Sequence, residues 1–258
     1  MQKNWRSSRW FAESAALKGL AVIGALLVAE VGLAQGTNRP MSPTVMAETS
    51  FTTAASPGGV CARLNAGRIQ TSDAGLTWTD RPLVVRTFLR GLTYGNGTFV
   101  AVGGSYLDEA GVILTSRDGG AWVRRNARNT THLHGVTCGH GLFVAVGDGG
   151  AIFTSEDAVR WVRQRSGTPA LLATVVFANG RFVAGGEAGT ILASTNGTNW
   201  TQDKIGNHVF VGTITVRDGL FMVGSSHEVF VSTDGLIWRS WASEIASPPL
   251  TNSPLNGR

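Results

Sequence analysis

Residues Leu133 to Arg165, LHGVTCGHGLFVAVGDGGAIFTSEDAVRWVRQR, decide the architecture, because the chain repeats them. Altered copies run in register from Leu89 to Arg125, from Leu172 to Asp203 and from Val211 to Ser240, and a fainter copy runs from Phe51 to Asp80. Each copy closes on a tryptophan, at Trp78, Trp122, Trp161, Trp200 and Trp238, so the period is 44, 39, 39 and 38 residues. A fixed period of this size marks a repeat architecture in which each copy is one supersecondary unit.

Aligned on the tryptophan, every column has a physical job. Leu92, Val136, Val175 and Ile214 share one column of a first strand, and Tyr94, Cys138, Phe177 and Val216 share the column two residues on. That alternation has the period of a strand and not of a helix. Asn96-Gly97, His140-Gly141, Asn179-Gly180 and Asp218-Gly219 follow, residue pairs that supply the positive φ angles of a two-residue hairpin. The second strand, Phe99-Val-Ala-Val-Gly103 and its equivalents from Phe143, Phe182 and Phe221, is apolar on both faces and must be covered on both. A third strand after a Gly-rich turn, then a fourth carrying the tryptophan and ending in charge, complete the unit. A four-stranded sheet apolar on both faces cannot satisfy itself alone, but copies stacked around an axis bury each other. The expected fold is an all-β propeller of about five four-stranded blades over residues 49–241.

The turn before each tryptophan carries a family resemblance. Thr71-Ser-Asp73-Ala-Gly75-Leu-Thr77-Trp78 resembles the Asp-box of the bacterial neuraminidase repeat at every fixed position. The other four turns are one residue shorter, from Ser116, Ser155, Ser194 and Ser232, and place Asp118, Asp157, Asn196 and Asp234 before Trp122, Trp161, Trp200 and Trp238. With its Phe-Val-Ala-Val-Gly strand the chain is similar to Asp-box propellers, including photosystem II assembly factors and other exported bacterial propellers. Local physics gives Asp73 and its four equivalents a structural role: a hydroxyl and a carboxylate bond turn amides, and the tryptophan supplies an apolar plate to the next unit.

The N-terminus carries Lys3, Arg6, Arg9 and Lys18, an apolar run from Gly19 to Ala29 and then Gly32-Leu33-Ala34, the pattern of a secretory signal peptide over residues 1–34. An eleven-residue run ending at Glu30 is too short to anchor in a bilayer. The expected product is exported, to the periplasm or the medium. Its loss leaves 18 basic and 15 acidic side chains, a net charge of +3 against +5 for the whole chain, so the basic balance overstates the case for nucleic acid, and no nucleic-acid partner is expected because basic residues are not interleaved with aromatics. Residues 35–48 read as a flexible tether and the Pro-rich residues 242–258 as a tail. The tail with Trp241, or oligomerisation, would close the ring.

Candidate chemistry is sparse. His132, His134, Cys138 and His140 suggest a metal cluster, but extended geometry at roughly 3.3 Å per residue sets the ends about 26 Å apart, beyond one ion. Cys138 falls in a core column and His140 in a turn column, which leaves His132 and His134 without a reading. Cys61 takes the place of Val144, so the two cysteines are core positions two units apart and are not expected to pair. The resemblance brings sialidase activity into question. That family needs an arginine cluster, a Tyr with a partnering Glu, and an acid/base Asp, whereas this chain lacks the Arg-Ile-Pro motif and has only two Tyr. Shared architecture does not carry chemistry with it, and no catalytic, cofactor or metal residue is expected.

Departures from the repeat point to recognition. Unit two is five residues longer between its second and third strands, through Tyr106, Asp108 and Glu109, and that loop is predicted on the face of the unit-to-unit connectors. The connectors hold Arg124, Arg125, Arg128, Arg163, Arg165 and Lys204. An acidic, aromatic loop beside an arginine-rich rim makes a candidate interaction surface. The expected role is a non-catalytic protein-interaction or assembly module; a carbohydrate-binding propeller is the alternative. The partner would be another protein, or else a glycan, with no membrane insertion after signal cleavage.

Overall fold

The structure, a computed structural model, describes residues 52–83, 87–107, 110–125, 130–206, 208–225 and 228–241. The signal peptide, tether and tail assigned above, and Asp108, Glu109 and Arg128, lie outside these residues. Five antiparallel four-stranded sheets follow one another in chain order. Blade 1 is β1 (Thr53–Ala55), β2 (Cys61–Asn65), β3 (Arg68–Ser72) and β4 (Thr79–Arg81). Blade 2 is β5 (Thr87–Gly95), β6 (Thr98–Ser105), β7 (Gly111–Ser116) and β8 (Val123–Arg125). Blade 3 is β9 (Leu133–Gly139), β10 (Leu142–Gly147), β11 (Ile152–Ser155) and β12 (Val162–Gln164). Blade 4 is β13 (Leu172–Ala178), β14 (Arg181–Gly186), β15 (Thr190–Ser194) and β16 (Thr201–Lys204). Blade 5 is β17 (Thr215–Arg217), β18 (Leu220–Gly224), β19 (Val229–Ser232) and β20 (Arg239–Ser240).

Alternation along the second strands sets the packing. In β6, Phe99 and Ala101 turn toward blade 1 and join Leu64, Ile69 and Leu92, while Val100 and Val102 turn toward blade 3 and join Leu133, Phe143 and Phe153. The same division gives a cluster between blades 3 and 4 around Val144, Val146 and Phe182, and another between blades 4 and 5 around Val183, Ile191 and Phe221. Each fully buried Phe contributes on the order of 1.5–3 kcal/mol relative to exposure. Near the axis the blades approach closely: a Cβ on Gly135 would lie 3.0 Å from the Val175 amide nitrogen, and one on Gly91 3.0 Å from that of Val136. Glycine there lets the first strands of neighbouring blades touch through their backbones.

The four shorter box turns share one hydrogen-bond pattern. In blade 2 the Asp118 carboxylate accepts from the amides of Gly120 (2.9 Å) and Ala121 (3.0 Å), Ser116 Oγ lies 2.9 Å from the same oxygen, and Trp122 Nε1 donates to Gly119 (2.9 Å). Asp157, Asn196 and Asp234 repeat the two amide contacts. Those amides hold the carboxyls of Asp118, Asp157 and Asp234 below the usual aspartate range. Asn196 does the same work without charge, so the turn needs an acceptor and not an ion.

Blade 1 departs from its motif. Cys61 pairs with Ser72 as Phe99 pairs with Ser116 and Phe143 with Ser155, so Cys61 stands in the Phe143 column and not in that of Val144. The slip comes from the extra residue in the first box. Thr71 accepts from Arg81 Nε (2.6 Å), the job of Thr115 toward Arg125 (2.8 Å), and the hydroxyl at the box position is Ser72, directly beside Asp73. Ser72 Oγ is buried with no partner, and Asp73 has no hydrogen bond among the described residues. Cys61 and Cys138 are free thiols. No helix among the described residues is long and apolar enough to cross a membrane.

Candidate functional site on the connector face

Connectors and the turns joining second to third strands share one face, as their backbone bonds show: Asp148 N donates to His132 O (3.0 Å), Glu187 N to Leu171 O (3.0 Å) and Gly111 N to Thr130 O (3.1 Å). On this face β5, β9 and β13 each carry a bulge that leaves Arg90, His134 and Ala173 unpaired in the ladder. A bulge re-aims a side chain, and such irregularities gather beside functional sites.

The bulges of blades 2 and 3 feed one continuous side-chain cluster. The Arg90 guanidinium lies over the Phe88 ring at 5.3 Å, and Phe88 also meets Tyr106 at 5.0 Å and the His132 ring edge-on at 5.1 Å. Beyond His132, the Asp148 carboxylate sits 2.6 Å from His134 Nε2 and 3.7 Å from His132 Nδ1. The strand ladder makes this possible, because Gly147 pairs with Leu133 and so brings Asp148 between the two histidines. Thr131 Oγ1 fixes the Asp148 carbonyl at 3.1 Å. His132 Nε2 is buried without a partner. No group of three or more His, Cys, Asp and Glu side chains suited to a metal occurs among the described residues.

Beside this cluster an open cleft of about 610 Å³ runs between blades 1 and 2, lined by Arg68, Asp80, Arg81, Leu83, Thr87 and Tyr106. On the face of blade 1 turned away from blade 2, Gln70 Nε2 donates to Asp80 Oδ1 at 2.6 Å. Tyr106 is 69% exposed and the neighbouring Leu107 76%.

Of the candidate surface from the sequence, Tyr106, Arg124, Arg125, Arg163 and Arg165 are among the described residues. Tyr106 packs on Phe88, where the chain enters blade 2, and lines a cleft together with Arg68 and Arg81 of blade 1. Arg124, Arg125 and Arg163 belong to fourth strands and not to connectors, and Arg165 follows β12 as an exposed residue. Arg125 is engaged with Thr115 inside its own blade. Sequence reasoning missed Arg68, Arg81, Phe88 and Asp148. The unread pair His132 and His134, facing an Asp one turn beyond the opposite strand, was the available signal.

No family model matches the chain, and no curated protein matches it. Solved structures do match. Virginiamycin B lyase from Staphylococcus aureus is 15% identical, with 77% of this chain and 72% of that one covered and a TM-score of 0.64. A streptogramin B lyase is 12% identical, covering 74% and 67%, with a TM-score of 0.63. YCF48 bound to a D1 peptide is 15% identical, covering 73% and 67%, with a TM-score of 0.56. Together with the five four-stranded sheets, these likenesses define the class: an all-β propeller of five blades. At such identities they speak to the fold and not to an activity.

Proposed function

We propose that the protein is an exported, non-catalytic propeller that binds a peptide segment of another protein in the cleft between blades 1 and 2. The observation that carries this reading is an exposed tyrosine held by Phe88 over a cleft flanked by Arg68 and Arg81. An anchored aromatic beside arginines, with Leu83 as an apolar floor, is recognition chemistry. It suits an extended segment that presents an acidic side chain next to an apolar one. The YCF48 structure supports the reading to the extent that a propeller similar in fold to this chain is bound to a D1 peptide in it. The acidic groups lend themselves to structure rather than catalysis: Asp118, Asp157 and Asp234 are engaged by turn amides, and Asp148 by His134.

A peptide array probed with the chain, beside Tyr106→Ala and Arg68→Ala variants, tests it. Saturable binding to acidic-apolar segments that weakens about tenfold in each variant is expected, roughly the loss of one well-made contact. Binding to glycans and not to peptides would put the carbohydrate-binding alternative in its place.

A further inference from the structure

On the opposite face, where first and second strands join, two turn asparagines tie blades together. Asn96 Nδ2 donates to the carbonyls of Gly141 (2.6 Å) and Glu156 (3.0 Å) in blade 3. Asn179 Nδ2 donates to those of Gly219 (2.7 Å) and Thr233 (3.1 Å) in blade 5. Each amide thus joins its own hairpin turn to the hairpin turn and the box turn of the next blade. At the seam between blades 3 and 4 the equivalent acceptors are Gly180 O and Thr195 O, and the residue at the tying position is His140.

His140 keeps the left-handed backbone of the turn, with φ 49°, but its ring lies edge-on to Phe177 at 4.8 Å and reaches neither carbonyl with a hydrogen bond. A cleft of about 540 Å³ opens at this seam, lined by His140, Leu142, Glu156, Thr195 and Asn196 above the buried Phe182. Its chemistry is that of an acceptor-rich slot: Thr195 of the box turn and Glu156 line it beside the His140 ring, and Gly180, the other acceptor position of the seam, adjoins that ring, a Cβ there lying 3.8 Å from His140 Nε2.

We infer that this unstapled seam is a second binding site, for the arginine side chain of a partner protein. A guanidinium is planar, carries five N–H donors in a fixed fork and stacks on aromatic rings, so it meets the carbonyls, Glu156 and the His140 ring together. A lysine ammonium is a compact point charge that cannot span them. A primary amide supplies the two carbonyl bonds but leaves Glu156 without a counter-charge. The inference is independent of the connector-face cleft, which lies at the other end of the blades.

The test titrates the full chain with N-acetyl-arginine amide, N-acetyl-lysine amide and N-acetyl-glutamine amide, following the backbone amide signals of Gly141, Thr195 and Asn196 by NMR. Saturable shifts with the arginine compound, about tenfold weaker affinity with the other two, and a similar loss in Glu156→Gln are expected. His140→Asn restores the tie found at the neighbouring seams, so it should fold, melt at a higher temperature than the parent and lose the arginine response. No saturable shift with the arginine compound, equal binding of all three probes, or undiminished binding by His140→Asn would each overturn the site.

Discussion

Blade 1 and blade 3 come from the same repeat, yet they spend it differently. Blade 3 turns Phe143 and Trp161 onto a shared apolar cluster with blade 2, with ring centroids 6.4 Å apart. Blade 1 has Cys61 where blade 3 has Phe143, and on the same face Arg63 donates to Gln70 at 2.8 Å and lies 4.2 Å over Trp78. Its opposite face, with Ala62, Leu64 and Ile69, packs on blade 2 in the ordinary way. Clusters of buried apolar residues fill the seams between blades 1 and 2, 2 and 3, 3 and 4, and 4 and 5; among the described residues none lies on the Arg63 face. A repeat unit keeps its backbone while its two faces answer to different surroundings.

The largest effect that separates the two blades is expected in the core. Phe143→Ala should cost about 3–5 kcal/mol in denaturant unfolding, the range for emptying a buried aromatic site, whereas Cys61→Ala at the matching position should cost about 1 kcal/mol or less. Equal losses would mean that blade 1 has a core the sheet geometry does not reveal. A middle-sized contrast lies in the box turns. Asp118→Ala should destabilise by roughly 1 kcal/mol through its lost amide bonds, Asp118→Asn by little because Asn196 already serves blade 4, and Asp73→Ala scarcely at all.

The same contrast has a pH signature. Folding lowers the pKa values of Asp118, Asp157 and Asp234 below the ordinary value of 3.8, so their contribution is present above that value and is lost as pH falls through the depressed folded values. Acid unfolding of Asp118→Asn should therefore show a shallower loss over that window than the parent. The smallest effect is expected from Arg63→Ala, about 0.5–1 kcal/mol from uncovering Trp78, read as a small drop in melting temperature together with a change in tryptophan fluorescence.

The blades were legible in the sequence wherever a local rule operates. Asn96-Gly97 and Asn179-Gly180 announce their hairpins, and φ is positive at all four of those residues. The Phe-Val-Ala-Val alternation divides its side chains between two seams as a strand must. Legibility ended where spacing and not residue identity decides. The first box matches its family pattern at every fixed position, yet its extra residue puts Ser72 next to Asp73 and leaves the hydroxyl unpartnered. The connector-face cluster was hidden for another reason: Phe88, Tyr106, His132 and Asp148 stand on four different segments, brought together by the bulges and ladder register of blades 2 and 3. An alignment by copies puts Phe88, His132 and Leu171 in one column and Asp148 with Glu187 in another, so no single column shows that these side chains meet.

The ladder of Arg63, Gln70 and Asp80 on the outer side of blade 1 also bears on how such a chain lengthens. A stack of like sheets has no built-in stop, since each apolar face is a template for one more. Polar groups already bonded to one another resist that addition, because a new sheet would strip their water without offering new partners. An apolar sheet set against this face would have to break the bonds that Arg63, Gln70 and Asp80 make with one another, whereas the apolar faces between blades accept a neighbour at no such cost.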